Sequence, residues 1–88
     1  MDFEWDAVNA KHLRRHRITQ TEAEQAILID SVEMGVQQHP SEDRVLCTGR
    51  TVKGRLLTII YATRGGRIRV VTGYPATRRQ QRIYFEEK

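Results

Sequence analysis

Hydrophobic positions follow a helical period over the first third of the chain. Asp6 fits the N-cap of a first helix, which the pattern predicts over residues 7–16. Thr19 and Glu22 have the spacing of a capping box, so a second helix is predicted to begin there. Ahead of Asp6, the chain is expected to form a short edge strand or an ordered arm over residues 2–5.

At about Val32 the hydrophobic spacing changes to a period of two, which is typical of half-buried strands. Four strands are predicted, over residues 32–36, 44–51, 56–62 and 67–73, with hairpin turns at 51–54 and 65–66. Pro75 ends the last strand, and Thr77 with Gln80 predicts a second capping box that opens a final helix. We therefore expect an α+β fold in a single domain over residues 1–88: two N-terminal helices, a four-stranded antiparallel sheet and a C-terminal helix.

The composition narrows the class of protein. Cys47 is the only cysteine, which excludes an internal disulfide and a Cys-rich metal site. No apolar run of about 20 residues and no apolar leader is present, so a soluble, cytoplasmic protein without a membrane partner is expected. No nucleotide-binding or metal-binding motif occurs, and neither a cofactor nor a metal is expected.

Charge is divided unevenly along the chain. Residues 1–43 carry nine acids and four bases, whereas residues 44–85 carry ten bases and no acid. Nine of those ten are Arg, whose planar guanidinium suits paired hydrogen bonds to phosphate. This pattern predicts a nucleic-acid partner, contacted by Arg50, Lys53, Arg55, Arg64, Arg67, Arg78, Arg79 and Arg82 in addition to Arg44 and Arg69. Arginines scattered over the surface of a basic protein are the alternative.

Two placements of these arginines favour phosphate binding. Arg44 and Arg69 lie on predicted strands, from which arginines can converge on one phosphate. Arg78 and Arg79 fall in the first turn of the last helix, where the helix dipole disfavours cations but free N–H groups favour an anion.

The order and spacing of these residues resemble the BrnT family of toxins from type II toxin–antitoxin systems. The matching pieces are Phe3-Glu4-Trp5-Asp6, Lys11, Leu13, Arg14, His16, Glu22-Ala23, Glu42, Arg44, Gly49-Arg50, Gly54-Arg55-Leu56-Leu57, Tyr61, Arg69-Val70-Val71, Ala76-Thr77-Arg78-Arg79 and Tyr84. The resemblance implies a RelE-like fold and a metal-independent ribonuclease that cleaves cellular RNA. It also implies a ribbon-helix-helix antitoxin (BrnA-like) as a partner. The toxin would contact operator DNA only through this antitoxin.

Cleavage of RNA without a metal needs a base, a cation to stabilise the phosphorane and an acid for the leaving oxygen. The candidate catalytic residues are His16, which matches the family pattern, together with Arg44, Arg69 and Tyr74. A C-terminal cap of the first helix is the alternative role for His16.

The sequence departs from the family pattern at four positions. Tyr74 replaces a characteristic Arg, and Gln80 replaces a Glu. His12 stands where Asn is common, and Arg17 where Gly usually follows His16. The changes at Tyr74 and Gln80 favour a second interpretation, a noncatalytic BrnT-like module that binds nucleic acid and antitoxin. An accessory DNA- or RNA-binding protein is a third possibility.

Overall fold

The structure is a computed structural model that describes residues 2–88. Its elements, in chain order, are β1 (Phe3–Glu4), α1 (Ala7–Arg14), α2 (Gln20–Leu28), β2 (Val32–Gln37), β3 (Arg44–Arg50), β4 (Leu56–Arg64), β5 (Arg67–Pro75) and α3 (Arg78–Glu87). The α+β class and the three helices are confirmed, and side chains of Asp6, Thr19 and Thr77 cap the helices as predicted. Among residues 2–88, no helix has the length and apolar character needed to cross a bilayer.

The sheet differs from the prediction because it has five strands and is mixed. Its strand order is β1-β5-β4-β3-β2, in which β1 runs parallel to β5 and the other pairs are antiparallel. The four-stranded antiparallel prediction is therefore wrong in this detail. β1 pairs only Phe3 with Ile68 and Glu4 with Arg69. A strand of two residues is too short to show a period of two in the sequence. It joins the sheet by pairing with the free edge of β5.

The two faces of the sheet have different partners. α1 and α2 cover the core face, where Leu57, Ile59 and Val70 are fully buried. They pack there with Leu13, Ile18, Ala23, Ala26 and Cys47. Burial raises the pKa of the Cys47 thiol to about 11, so this cysteine is a packing residue rather than a thiolate nucleophile.

The opposite face, here called the open face, is covered at one end by α3. The register places Thr48, Thr58 and Tyr74 in one row on this face, and Gln80 of α3 is hydrogen-bonded to Thr58. α3 contacts β2 and β3, and the Tyr84 hydroxyl donates to the Asp30 carboxylate at 2.6 Å. On the part of this face formed by β4 and β5, the side chains of Arg69, Thr72 and Tyr74 are half-buried rather than fully covered.

The turn after α1 is a Schellman motif that has Arg where glycine is usual. The Ile18 N–H donates to the Leu13 carbonyl, the Arg17 N–H donates to that of Arg14, and Arg17 has a φ of 55°. Buried Ile18 thus closes α1. The Arg55 guanidinium reinforces the turn through bonds to the carbonyls of Arg17 (2.8 Å) and His16 (3.1 Å).

We expect Arg17→Gly to raise the free energy of unfolding by about 0.5–1 kcal/mol. The left-handed conformation costs a non-glycine residue about 1–2 kcal/mol, and this cost is relieved by glycine. Glycine also has more conformational freedom in the unfolded chain, which offsets about 0.5–1 kcal/mol of the gain. Urea unfolding measures the change. Arg15→Gly is the matched control, since Arg15 has a φ of −58° and the same charge is removed. Arg15→Gly should lower the free energy of unfolding. If both variants raised it, the loss of charge rather than the relief of backbone strain would explain the stabilisation.

Candidate functional site

Arg44 and Arg69 lie on either side of Ala62 on the open face. Arg69 pairs with Ala62 in the register, and Arg44 continues the same row on β3 because its neighbour Val45 pairs with Tyr61. The two arginines are on strands that are not adjacent, but the small Ala62 side chain lets them line one cavity of about 200 Å³. This arginine cavity is also lined by Val8, Asn9, His12, Arg64, Val70 and Val71.

Two arginines of the cavity are neutralised within the protein. Arg69 contacts Glu4 at 3.0 Å and Asp6 at 2.9 Å, and its guanidinium holds the pKa of Asp6 below the usual range. Arg64 donates to Glu42 at 2.7 Å and lowers the pKa of that carboxyl in the same way. Strand β1 and the start of α1 therefore bring negative charge to arginines that a sequence count treats as free.

Arg44 is different because no ion pair within residues 2–88 holds its guanidinium, although its charge helps to lower the pKa of nearby Glu42. Among residues 2–88, no carboxylate lies within ion-pair distance of its guanidinium, and its buried Nε has no hydrogen-bond partner. A buried N–H group without an acceptor is costly, so Arg44 has a hydrogen-bond donor that the described chain does not use.

His12 is a site residue that the sequence analysis did not select. Its Nδ1 lies 3.1 Å from the Val71 carbonyl oxygen, which can only accept a hydrogen bond. Nδ1 therefore carries a proton, and in the neutral ring Nε2 is left as the basic nitrogen. The spacing of four residues between His12 and His16 was the available signal, because residues so spaced share one face of a helix.

His16 and Tyr74 meet further along the line between α1 and β5. Their ring centroids are 6.4 Å apart with the planes at 62°, an edge-on arrangement. The exposed His16 imidazole makes no hydrogen bond within the described chain, whereas the His16 backbone N–H donates to the Leu13 carbonyl at 3.0 Å in the turn that closes α1. Tyr74 is half-buried, and its hydroxyl accepts a hydrogen bond from Nε2 of Gln80 at 3.0 Å.

A family model described as "Ribonuclease toxin, BrnT, of type II toxin-antitoxin system" matches residues 5–80. The chain belongs to the BrnT family. Membership implies an RNA target and an antitoxin partner. The match includes the whole arginine cavity as well as His16, Tyr74 and Gln80. No curated protein matches the sequence closely.

In this BrnT toxin, several arginines that were predicted to bind RNA hold the fold. Arg55 contacts the α1 turn and lies 3.4 Å from the Glu22 carboxylate. The hydrogen bond from the Thr19 N–H, and then the Arg55 guanidinium, hold the pKa of Glu22 below its usual value. Arg50 lies 3.7 Å from Asp30, and Arg67 donates to the Phe3 carbonyl at 3.2 Å. Arg64 is paired with Glu42, as described above. The remaining predicted contacts are exposed and form no ion pair within residues 2–88: Lys53, Arg78, Arg79 and Arg82.

The two departures from the BrnT pattern near the last helix are in contact with each other. Gln80 and Tyr74 are joined by the hydrogen bond described above, and Gln80 also completes the capping box of α3. The sequence analysis treated them as separate losses. In the structure they form one neutral pair.

Within residues 2–88, no group of three or more His, Cys, Asp or Glu side chains is arranged to hold a metal ion.

Proposed function

We propose that this BrnT toxin is a metal-independent endoribonuclease that binds RNA between the arginine cavity and the His16–Tyr74 pair. The observation that carries the proposal is the Arg44 guanidinium, which forms no ion pair within residues 2–88, lacks a partner at its buried Nε and lines one cavity with His12. A cation in a partly desolvated cavity stabilises a phosphorane more strongly than one in water.

The His12 side of the arginine cavity and the His16–Tyr74 pair both lie along strand β5. Val71, which holds His12, and Tyr74, which contacts His16, are three residues apart on β5, or about 10 Å. A ribose and its 3′ phosphate would lie along this line on the open face.

Each part of the reaction then has a candidate group. An imidazole, with Nε2 of His12 as the basic atom, would take the proton of the 2′-hydroxyl, whose oxygen attacks phosphorus. Arg44 would stabilise the phosphorane, with Arg69 fixed beside it by Glu4 and Asp6. The bond from phosphorus to the 5′-oxygen breaks as Tyr74, next to His16, donates a proton to that oxygen. The products are a 2′,3′-cyclic phosphate and a 5′-hydroxyl.

We further propose that the antitoxin is a ribbon-helix-helix protein that acts in the cytoplasm and covers the same surface. Exposed Arg78, Arg79 and Arg82 continue the basic region from Tyr74 onto α3, and acidic side chains of the antitoxin would compete there with RNA phosphates. Operator DNA would then be contacted only through the antitoxin. The element order also supports the RelE-like fold that the resemblance implies.

A noncatalytic binding module is the second candidate. The observation that favours it is the neutralisation of Arg64 and Arg69 by Glu4, Asp6 and Glu42, which leaves Arg44 as the cavity arginine without an ion pair in the described chain. Such a site could hold a phosphate without stabilising the extra charge of a phosphorane.

RNA cleavage in the presence of excess EDTA distinguishes the candidates. We expect the purified protein to cut single-stranded RNA at the same rate with and without the chelator, because every proposed group is a side chain. Arg44→Gln protein, purified in parallel, controls for contaminating ribonucleases. Activity that needs added Mg²⁺ would contradict metal independence, and binding without cleavage would establish the noncatalytic module.

A further inference from the structure

The amide of Gln80 has a defined orientation. Its Oε1 lies 2.9 Å from the backbone nitrogen of Thr77, which can only donate a hydrogen bond. Oε1 also accepts from the Thr58 hydroxyl at 2.7 Å. Because the oxygen of the amide must face these two donors, the NH₂ group must face Tyr74.

This orientation determines the role of the Tyr74 hydroxyl. Nε2 of Gln80 is 3.0 Å from the phenolic oxygen and has only protons to offer, so that oxygen accepts the bond. The phenolic proton is therefore not used by Gln80. Within residues 2–88 no other oxygen or nitrogen accepts it, and it is available to a ligand on the open face.

The network that holds Gln80 is rigid at its inner end. Thr48 and Thr58 are fully buried, and their hydroxyl oxygens are 2.7 Å apart. Since Thr58 gives its proton to Gln80, Thr48 supplies the proton of the bond between the two threonines. Buried hydrogen bonds of this kind fix side-chain orientation because breaking any one leaves an unsatisfied polar atom.

We propose that Gln80 is a positioning residue that presents Tyr74 as a hydrogen-bond donor to an RNA phosphate oxygen. The assignment rests on the proposed function of Tyr74 and extends it to a residue that does not touch RNA. A glutamate at position 80 would keep the capping box but has only acceptor atoms, so the Tyr74 proton would turn inward to the carboxylate. The direction of this one bond then decides whether Tyr74 can donate to RNA.

A double-mutant cycle between Tyr74→Phe and Gln80→Glu tests the proposal. The first readout is the Kd for an RNA whose 2′-hydroxyls are methylated, so that binding is measured whether or not the protein cleaves RNA. The second readout is kcat on ordinary RNA. Gln80→Glu is expected to retain the melting temperature, because glutamate is favourable in the first turn of a helix.

We expect Tyr74→Phe to weaken binding of the methylated RNA by about 10- to 100-fold, the range for a hydrogen bond to a charged group. Gln80→Glu should weaken it by at least as much in the natural background. In the Tyr74→Phe background Gln80→Glu should have a smaller effect, limited to the repulsion between the new carboxylate and RNA. The same non-additivity is expected in kcat.

Equal effects of Gln80→Glu in both backgrounds would overturn the proposal, since they would reflect charge alone. An unchanged Kd for Gln80→Glu would also overturn it. Failure of the proposed ribonuclease function would give a different result. Non-additive Kd values without any RNA cleavage would support the positioning role of Gln80 and exclude the catalytic role of Tyr74. If Tyr74→Phe binds and cleaves like the natural protein, both assignments fall.

Discussion

Arg44→Gln is expected to lower the rate of RNA cleavage by about 10²- to 10³-fold, the loss typical of removing one transition-state hydrogen-bond donor. Arg44 is the cavity arginine that forms no ion pair with a carboxylate of the described chain. Its replacement leaves no acid unpaired, so the fold should be retained. Initial rates on a fluorescent RNA measure the loss, and circular dichroism verifies folding.

Arg14→Gln is the matched control for Arg44→Gln. Arg14 is an exposed arginine at the end of α1 and does not line the arginine cavity, although the same charge is removed. We expect its rate to stay within about twofold of the natural protein at moderate salt, since exposed charges are screened. Similar losses in the two variants would show that net charge governs the rate, and would contradict the assignment of Arg44.

Gly49→Ala is expected to destabilise the protein by about 3 kcal/mol or more, at the upper end for overpacking. A Cβ at Gly49 would lie 1.8 Å from the backbone oxygen of Ala26, where β3 contacts α2. Backbone on both sides cannot move without separating the helix from the sheet. For a chain of this size the loss lowers the melting temperature by about 12 °C or more, which differential scanning calorimetry can measure.

Gly73→Ala provides a graded comparison on the same face of the sheet. There the new Cβ would meet the terminal methyl of Ile59 at 2.7 Å and that of Leu13 at 3.2 Å. The far ends of side chains can change rotamer, so we expect a cost of roughly 1–2 kcal/mol. A cost at Gly73 that equals or exceeds the cost at Gly49 would contradict the account of β3 and α2 packing.

The charge pattern of the chain has a second explanation that the structure reveals. Acids from residues 1–43 contact arginines from residues 44–85 in the pairs Glu4–Arg69, Glu22–Arg55, Asp30–Arg50 and Glu42–Arg64. Part of the uneven distribution is therefore complementarity within the fold. A sequence count cannot separate such pairs from free cations, because ion pairs form between residues far apart in the chain.

Local signals in the sequence were sufficient to predict the three helices and the strands β2 to β5. The side chains of Asp6, Thr19 and Thr77 bond to backbone groups two or three residues away, and the period of two in β4 and β5 reflects which side chains alternate across the sheet. Such interactions are encoded within a few residues. A short edge strand over residues 2–5 was one of two alternatives, and β1 confirms it, but its parallel pairing with β5 was not predicted because that pairing depends on residues more than 60 positions away.

The sequence by itself determined the α+β order, the helix caps and the family. Only the tertiary structure decided which arginines are free, because that depends on where Glu4, Asp6 and Glu42 meet the sheet. It also brought His12 and Arg44 to one cavity and joined Tyr74 to Gln80. A functional site is defined by distances between side chains, and those distances exist only once β1, α1 and α3 have packed around the sheet.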